Sequence, residues 1–150
     1  METKNITVLG AGSWGTALGT VLQSNGHHTR LWMRNEQQAR EMKETRSNRR
    51  YLPDVQLSQE IEMVTDPEQA LWKTDAVVLA IPTQQIRTVL KVVSPYLASN
   101  TILINVAKGI EKKSYCRISQ IVEQEVGNTA FAVLSGPSHA EEVARCMPTT

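Results

Sequence analysis

The chain has 150 residues, with 16 Lys and Arg, 15 Asp and Glu, and a net charge of +1. That length is sufficient for one domain with a substantial core, and the near-neutral charge gives no overall attraction to nucleic acid. No apolar run reaches the roughly 20 residues of a membrane-spanning helix. Residues 1–5 lack the apolar segment of a signal peptide. Cys116 and Cys146 lack the spacing of metal ligands, so we expect no metal, two buried or half-buried thiols and a cytoplasmic protein.

The first strand and helix are predicted around a glycine-rich turn, ITVLGAGSWGTAL, at residues 6–18. The aliphatic run before the turn is typical of a buried parallel strand, and an apolar helical face follows the turn. The spacing Gly10-x-Gly12-x-x-Gly15 in this context is a dinucleotide-binding fingerprint. We expect Gly10 to permit the tight turn, Gly12 to admit a pyrophosphate and Gly15 to let helix and strand pack closely. An ordinary glycine-rich turn is the alternative.

Alternating helices and strands are predicted along the rest of the chain. The strands fall at 6–9, 29–33, 61–64, 76–81, 101–106 and 131–134. One helix runs from the glycine turn to about Ser24, and others are predicted over 36–45, 84–93 and 114–126. Two more begin at capping sequences: one at Asp66-Pro67-Glu68-Gln69, and one at Ser138 that runs toward Arg145. Residues 46–58 are predicted to be irregular. This alternation implies an α/β protein with a doubly wound parallel sheet, a Rossmann-type fold.

Three aromatic side chains have distinct expected places. Trp14 lies at the mouth of the glycine turn, where it can shield a pyrophosphate or pack on another domain. Trp32 and Trp72 are predicted to pack on a strand and a helix. Tyr115 is predicted to share the apolar side of the helix over 114–126.

Ligands of a doubly wound sheet bind beyond the carboxyl ends of the strands. Arg34 lies at the end of the second strand, where NAD sites usually carry an acid that binds the ribose hydroxyls. The flat guanidinium of an arginine suits the 2′-phosphate of NADP. Arg34 therefore favours NADPH, with NADH as the alternative, and argues against FAD. Arg46, Arg49 and Arg50 either add positive potential nearby or form a solvated face.

Polar residues after two later strands are candidates for substrate binding. Lys108 follows a central strand, where its charge can hold a phosphorylated or carbonyl substrate; a surface lysine is the alternative. Gly136 and Ser138 precede a predicted helix and suggest a second anion site at its N-terminus. A plain N-cap is the alternative for Ser138.

Six segments occur in an order that resembles one enzyme family: GAGSWGTAL, LWMR, YLPD, AIPTQ, NVAKGIE and LSGPSHAEEVA. The sequence resembles the amino-terminal half of bacterial NAD(P)-dependent glycerol-3-phosphate dehydrogenases over essentially all 150 residues. Lys108-Gly109-Ile110-Glu111 together with Gly136-Pro137-Ser138-His139 is more specific than the glycine turn.

The resemblance implies interconversion of dihydroxyacetone phosphate, a phosphorylated triose, and sn-glycerol 3-phosphate, for phospholipid synthesis. The residues it implies for the cofactor are Gly10, Gly12, Ser13, Trp14, Gly15, Arg34, Tyr51, Lys108 and Ala140. The residues it implies for the substrate are Lys108, Gly136 and Ser138.

The family continues into a mostly helical second domain that supplies a catalytic lysine, an aspartate partner and most phosphate contacts. No residue of this chain matches them. We therefore expect residues 1–150 to be the NAD(P)-binding domain of a longer enzyme, with the main catalytic acid outside this chain and negligible turnover alone. A homodimer of the full-length protein is also expected to be possible.

Two other interpretations stay open at the level of sequence. One is a different dehydrogenase of this architecture, of the β-hydroxyacid or 6-phosphogluconate type. The other is a non-catalytic module that senses the nicotinamide pool. A nucleic-acid role for Arg46, Arg49 and Arg50 is disfavoured because the basic stretch is short and only Tyr51 adjoins it for stacking.

Overall fold

The computed structural model describes residues 2–148. Met1, Thr149 and Thr150, the ends of the predicted 1–150 domain, lie outside the described residues. The strands are β1 (Asn5–Leu9), β2 (His28–Trp32), β3 (Ser47–Asn48), β4 (Leu52–Gln56), β5 (Glu62–Val64), β6 (Ala76–Leu79), β7 (Ile102–Asn105) and β8 (Phe131–Val133). The helices are α1 (Ser13–Ser24), α2 (Glu36–Thr45), α3 (Pro67–Leu71), α4 (Thr83–Val93), α5 (Ile118–Glu125) and α6 (Ala140–Ala144).

Six strands form one parallel sheet in the order β5-β2-β1-β6-β7-β8. In the middle of this sheet Val8 of β1 lies opposite Leu31 of β2 and Val78 of β6. The chain runs outward from β1 in one direction through β2 and β5, and then returns to β6 on its other side. The predicted doubly wound fold is confirmed, and its topological switch point lies between β1 and β6, beside the glycine turn.

Two hydrophobic clusters cover the two faces of the sheet. Successive residues of β1 point to opposite faces, so Val8 joins one cluster and Leu9 the other. The first cluster includes Met42 of α2, and the second includes Ile86 of α4 and Ile121 of α5. Because both faces are buried, the central strand β6 is apolar throughout, as is typical of a parallel sheet.

The prediction of irregular chain over residues 46–58 is wrong. Strands β3 and β4 pair there as an antiparallel hairpin, with Ser47 opposite Gln56 and Asn48 opposite Leu52. The strand pattern is obscured in the sequence because β3 has only two residues and β4 contains Pro53. Leu52 is nevertheless buried and anchors the hairpin in the first cluster.

Two predicted helix starts are wrong and one is confirmed. The helix expected over 114–126 begins only at Ile118, and Tyr115, with φ +57°, is 74% exposed instead of packed. Helix α6 begins at Ala140 after His139, whose side chain makes no capping hydrogen bond, so Ser138 does not cap it. By contrast, the carboxylate of Asp66 accepts a hydrogen bond from the backbone N–H of Gln69 and caps α3 as predicted.

Side-chain burial corrects two further expectations. Trp32 is buried, as expected, but Trp72 is 62% exposed and does not pack as predicted, because the chain leaves the helical conformation at this residue. Cys116 is half-buried, whereas Cys146 is exposed, contrary to the prediction, and both thiols are free.

Candidate functional site

The shape of the glycine turn requires two of its glycines. Gly10 has φ +113°, and a Cβ on it would lie 2.4 Å from the carbonyl oxygen of Ala80. A Cβ on Gly15 would lie 2.0 Å from the carbonyl oxygen of Gly10. Side chains at these two positions would therefore collide with backbone, so the turn and the close packing predicted for Gly10 and Gly15 are present.

Gly12 and the start of α1 face open space. Gly12 is the N-cap of α1, and a Cβ on it would meet no atom within 4 Å. No side chain caps this helix, and its first turn carries no acidic residue. The N–H groups of the first turn and the positive end of the helix dipole are therefore available to an anion.

Two amide side chains brace the turn from outside, and the sequence did not reveal them. The carbonyl of Ala11 accepts hydrogen bonds from Nδ2 of Asn48 at 2.9 Å and from Nε2 of Gln38 at 2.8 Å. Asn48 is buried and also donates to the hydroxyl of Thr16 at 2.8 Å. Asn48 belongs to the hairpin that had no recognisable pattern, so only the structure could find it.

A first cleft of about 340 Å³ lies on the β2 side of the turn and contains Gly10, Gly12, Arg34, Tyr51 and Gln85. The guanidinium of Arg34 donates a hydrogen bond to Oε1 of Gln85. The hairpin brings Tyr51 to this cleft, and the hydroxyl of Ser13 donates to the Tyr51 carbonyl at 2.6 Å. Arg34 and Tyr51 thus lie beside the glycine turn, as expected of residues in one ligand site.

The lining of the first cleft does not include Arg46, Arg49 or Arg50. Arg46 donates to the backbone carbonyls of Ser58 and Ile61, at 3.3 and 2.8 Å, and braces its own loop. Its contribution to the positive potential of the cleft stays a prediction. Arg49 and Arg50 line a separate, smaller cleft of about 170 Å³.

A second cleft of about 580 Å³ lies on the other side of the turn. It brings together predicted site residues from three segments: Ser13, Trp14, Lys108, Gly136, Ser138 and Ala140. Within it, Nζ of Lys108 donates a hydrogen bond to the carbonyl of Gly136 at 3.1 Å. Helix α6 has only five residues and carries Glu141 and Glu142 in its first turn, so its N-terminus favours an anion less than that of α1 does.

An ion pair joins Arg87 of α4 to Glu111, three residues after Lys108. Hydrogen bonds from Arg87, and then from Ser114, lower the pKa of Glu111 from 4.5 to about 2. The same pairing raises the pKa of Arg87. Glu111 is therefore ionised at every physiological pH and stays paired with Arg87.

The described residues also bear on membrane and metal sites. Between residues 2 and 148, no helix has the length and apolar character needed to cross a membrane. Within the same residues, no group of three His, Cys, Asp or Glu side chains is arranged to hold a metal ion.

A doubly wound sheet with an uncapped helix at its switch point, and a cleft on either side, defines a dinucleotide-binding domain. Residues 5–150 match a family model described as the N-terminus of NAD-dependent glycerol-3-phosphate dehydrogenase. The chain belongs to this family of glycerol-3-phosphate dehydrogenase N-terminal domains.

Relatives and solved structures agree with this assignment. The chain is 49% identical over 147 residues to glycerol-3-phosphate dehydrogenase [NAD(P)+] of Pelotomaculum thermopropionicum, covering 96% of this chain and 42% of the relative. It is 43% identical to the enzyme of that name from Bacillus subtilis, covering 98% and 44%. The crystal structure of glycerol-3-phosphate dehydrogenase from Coxiella burnetii superposes with a TM-score of 0.92 at 33% identity, covering 98% and 45%. The chain thus spans less than half the length of these relatives.

Proposed function

We propose that this chain is the cofactor-binding part of a cytoplasmic enzyme that interconverts dihydroxyacetone phosphate and sn-glycerol 3-phosphate for glycerophospholipid synthesis. The observation that carries the proposal is the composition of the second cleft. An ammonium group, on Lys108, lies there beside Gly136 and near the start of α1. A cofactor at the α1 N-terminus and a phosphorylated triose at Lys108 would therefore be neighbours.

The open space at Gly12 supports a binding position for the cofactor at the start of α1. The pyrophosphate would bind the N–H groups at the start of α1, next to Ser13. The adenosine ribose would lie in the first cleft with Arg34 and Tyr51, and the nicotinamide end in the second cleft. When bound, the nicotinamide supplies the hydride for the carbonyl carbon of the substrate. The chain's own contribution is to orient the two ligands against each other.

Arg34 supports a preference for NADPH over NADH. Its side chain is exposed in the first cleft and its flat guanidinium can pair with a 2′-phosphate through two hydrogen bonds. Gln85 already accepts one hydrogen bond from this group. That contact holds the guanidinium in the cleft and leaves other N–H groups for a phosphate.

The substrate would bind Lys108, Gly136 and Ser138 in the second cleft. Lys108 would also contact the nicotinamide end of the cofactor, with Ala140 beside it. The ammonium of Lys108 would offset negative charge on the phosphate or on the carbonyl oxygen that becomes an alkoxide. We propose that the proton for this oxygen comes from a mostly helical second domain, which would follow this one in a full-length protein able to form a homodimer. The chain alone would then turn over negligibly.

Calorimetric titration of the chain with NADPH and NADH tests the cofactor assignment. Loss of a charge-assisted pair costs about 1.5–3 kcal/mol, so Arg34→Ala should weaken NADPH binding about tenfold or more and leave NADH almost unchanged. Arg40→Ala is the matched control, because Arg40 is exposed on α2 and its replacement removes the same charge away from the first cleft. An equal loss for both cofactors, or an equal loss in the control, would contradict the NADPH preference.

A second assay tests the reaction itself. Oxidation of NADPH in the presence of dihydroxyacetone phosphate is followed at fixed protein concentration, for this chain and for a chain that continues through a second domain. The proposal expects turnover only for the longer chain. A longer chain that binds NADPH but shows no turnover would favour the non-catalytic sensing module instead. Full activity of this chain alone would refute the proposal that the catalytic acid lies in a second domain.

A further inference from the structure

The loop that carries Lys108 is fastened to the first turn of α4. We call residues 107–112 the lysine loop. The hydroxyl of Thr83 donates to the carbonyl of Lys108 at 2.7 Å. The amide of Gln84 donates to the carbonyl of Ile110 at 2.8 Å and accepts from the N–H of Lys112 at 2.9 Å. The backbone of the loop is therefore fixed at three points by two neighbouring residues of one helix.

Arg87, one turn further along α4, fixes the end of the lysine loop. Its Nε and Nη2 donate to the carboxylate of Glu111, with contacts of 2.9, 3.1 and 2.8 Å. Its Nη1 donates to Glu125 of α5, so one guanidinium joins loop, helix α4 and helix α5. The side chains of Arg87, Glu111 and Glu125 are only 24, 14 and 15% exposed. A forked, largely desolvated pair of this kind holds a defined geometry, unlike an exposed ion pair.

Lys108 itself has little that fixes its side chain. It is exposed, and its Nζ donates to the carbonyl of Gly136 in the second cleft. The next residue, Gly109, has φ +108°, a conformation that glycine adopts readily. Such a backbone can take other conformations unless both sides are held. Thr83 holds the backbone before Gly109, and Gln84 and Arg87 hold it after Gly109.

We propose that Arg87 is a positioning residue, which acts through Glu111 to hold the lysine loop so that Lys108 reaches the second cleft. The proposal rests on the ligand-binding role proposed above for Lys108. It adds that Arg87 affects binding only through that lysine. The planar fork is the essential feature, because a lysine at position 87 keeps the charge but cannot form the two parallel hydrogen bonds.

A double-mutant cycle separates positioning from a merely structural role. The variants are Arg87→Lys, Lys108→Ala and the double variant, with Arg40→Lys as the matched control on α2. The NADPH dissociation constant of each is measured by calorimetry on the whole chain. We expect Arg87→Lys to weaken binding about three- to tenfold when Lys108 is present and less than about twofold in the Lys108→Ala background.

The outcomes distinguish the two proposals. If Lys108→Ala weakens binding but Arg87→Lys weakens it equally in both backgrounds, the positioning role is overturned and the proposed function stands. If Lys108→Ala leaves NADPH binding unchanged, the role of Lys108 fails first, and the positioning role with it. Should Arg87→Lys fail to fold, as judged by thermal melting, Glu111→Gln replaces it in the cycle. The same loss of effect without Lys108 is expected, and an additive effect overturns the positioning role.

Discussion

Replacing a glycine of the turn with alanine adds one methyl group, and its effect should depend on which glycine is replaced. We expect Gly15→Ala to lower stability and Gly12→Ala to weaken cofactor binding. In Gly15→Ala the added Cβ would lie 2.0 Å from a backbone oxygen, whereas ordinary contact begins at 3.4 Å. The helix or the turn must therefore move. In Gly12→Ala the added Cβ meets no protein atom within 4 Å, but it enters the space proposed for the pyrophosphate.

The expected magnitudes follow from these two environments. Forcing an atom into a packed site costs about 1–3 kcal/mol and sometimes more, while alanine in place of glycine within a helix returns about 1 kcal/mol. Because the obstacle at Gly15 is backbone, we expect a cost near the upper end and therefore a net loss of about 2 kcal/mol. That corresponds to a melting temperature lower by about 4–8 °C for a domain of this size. Gly12→Ala should cost less than about 1 kcal/mol, since glycine is a better N-cap than alanine.

Thermal melting and NADPH calorimetry on both variants provide the test. Gly12→Ala should melt close to the unaltered chain but bind NADPH at least about tenfold more weakly. Gly15→Ala should melt clearly lower. Unchanged NADPH affinity in a folded Gly12→Ala variant would refute the placement of the pyrophosphate. A Gly15→Ala variant as stable as the unaltered chain would refute the packing argument.

Three further predictions concern the Arg87–Glu111 pair, the bracing of the glycine turn and the burial of two tryptophans. Because the pKa of Glu111 is lowered to about 2, its pairing with Arg87 stabilises the fold above pH 4.5, and this contribution is lost as the pH falls toward 2. In urea titrations, the difference in unfolding free energy between the unaltered chain and Glu111→Gln should therefore narrow from pH 4.5 to pH 2. A difference that stays constant over this range would contradict the stabilising role of the pair. Asn48→Ala should lower the unfolding free energy by about 1–3 kcal/mol, because buried partners lose their hydrogen bonds; a neutral effect in urea would show that the bracing is dispensable. Trp72→Ala should change stability by less than about 0.5 kcal/mol, while Trp32→Ala should cost about 3–5 kcal/mol, and similar melting temperatures for the two variants would contradict the observed burial.

The sheet and the glycine turn were predictable because their signals are local. An apolar run, three glycines and a helical face lie within residues 6–22, and the structure bears out the predicted roles of Gly10 and Gly15. The carboxyl ends of the parallel strands meet at one edge of the sheet, so the sequence alone predicts that Arg34 and Lys108 lie near the turn.

The supports of the site were not predictable because their partners are distant in sequence. Asn48 reaches Ala11 across 37 residues, and Arg87 reaches Glu111 across 24. Neither contact leaves a periodic pattern. The start of α5 differs from its prediction for a local reason: Ser114 donates its hydroxyl to Glu111, three residues earlier, and the chain forms a turn at 112–114 where the sequence suggests a helix.

The most direct test of the central claim is to locate the bound cofactor by NMR, recording amide shifts of the isotope-labelled chain during titration with NADPH. The account predicts that the largest shifts fall on Gly12, Ser13 and Trp14 at the start of α1, with further shifts at Arg34 and Lys108. Saturable shifts confined to another surface, or no shifts at millimolar NADPH, would contradict the claim that this helix N-terminus holds the dinucleotide.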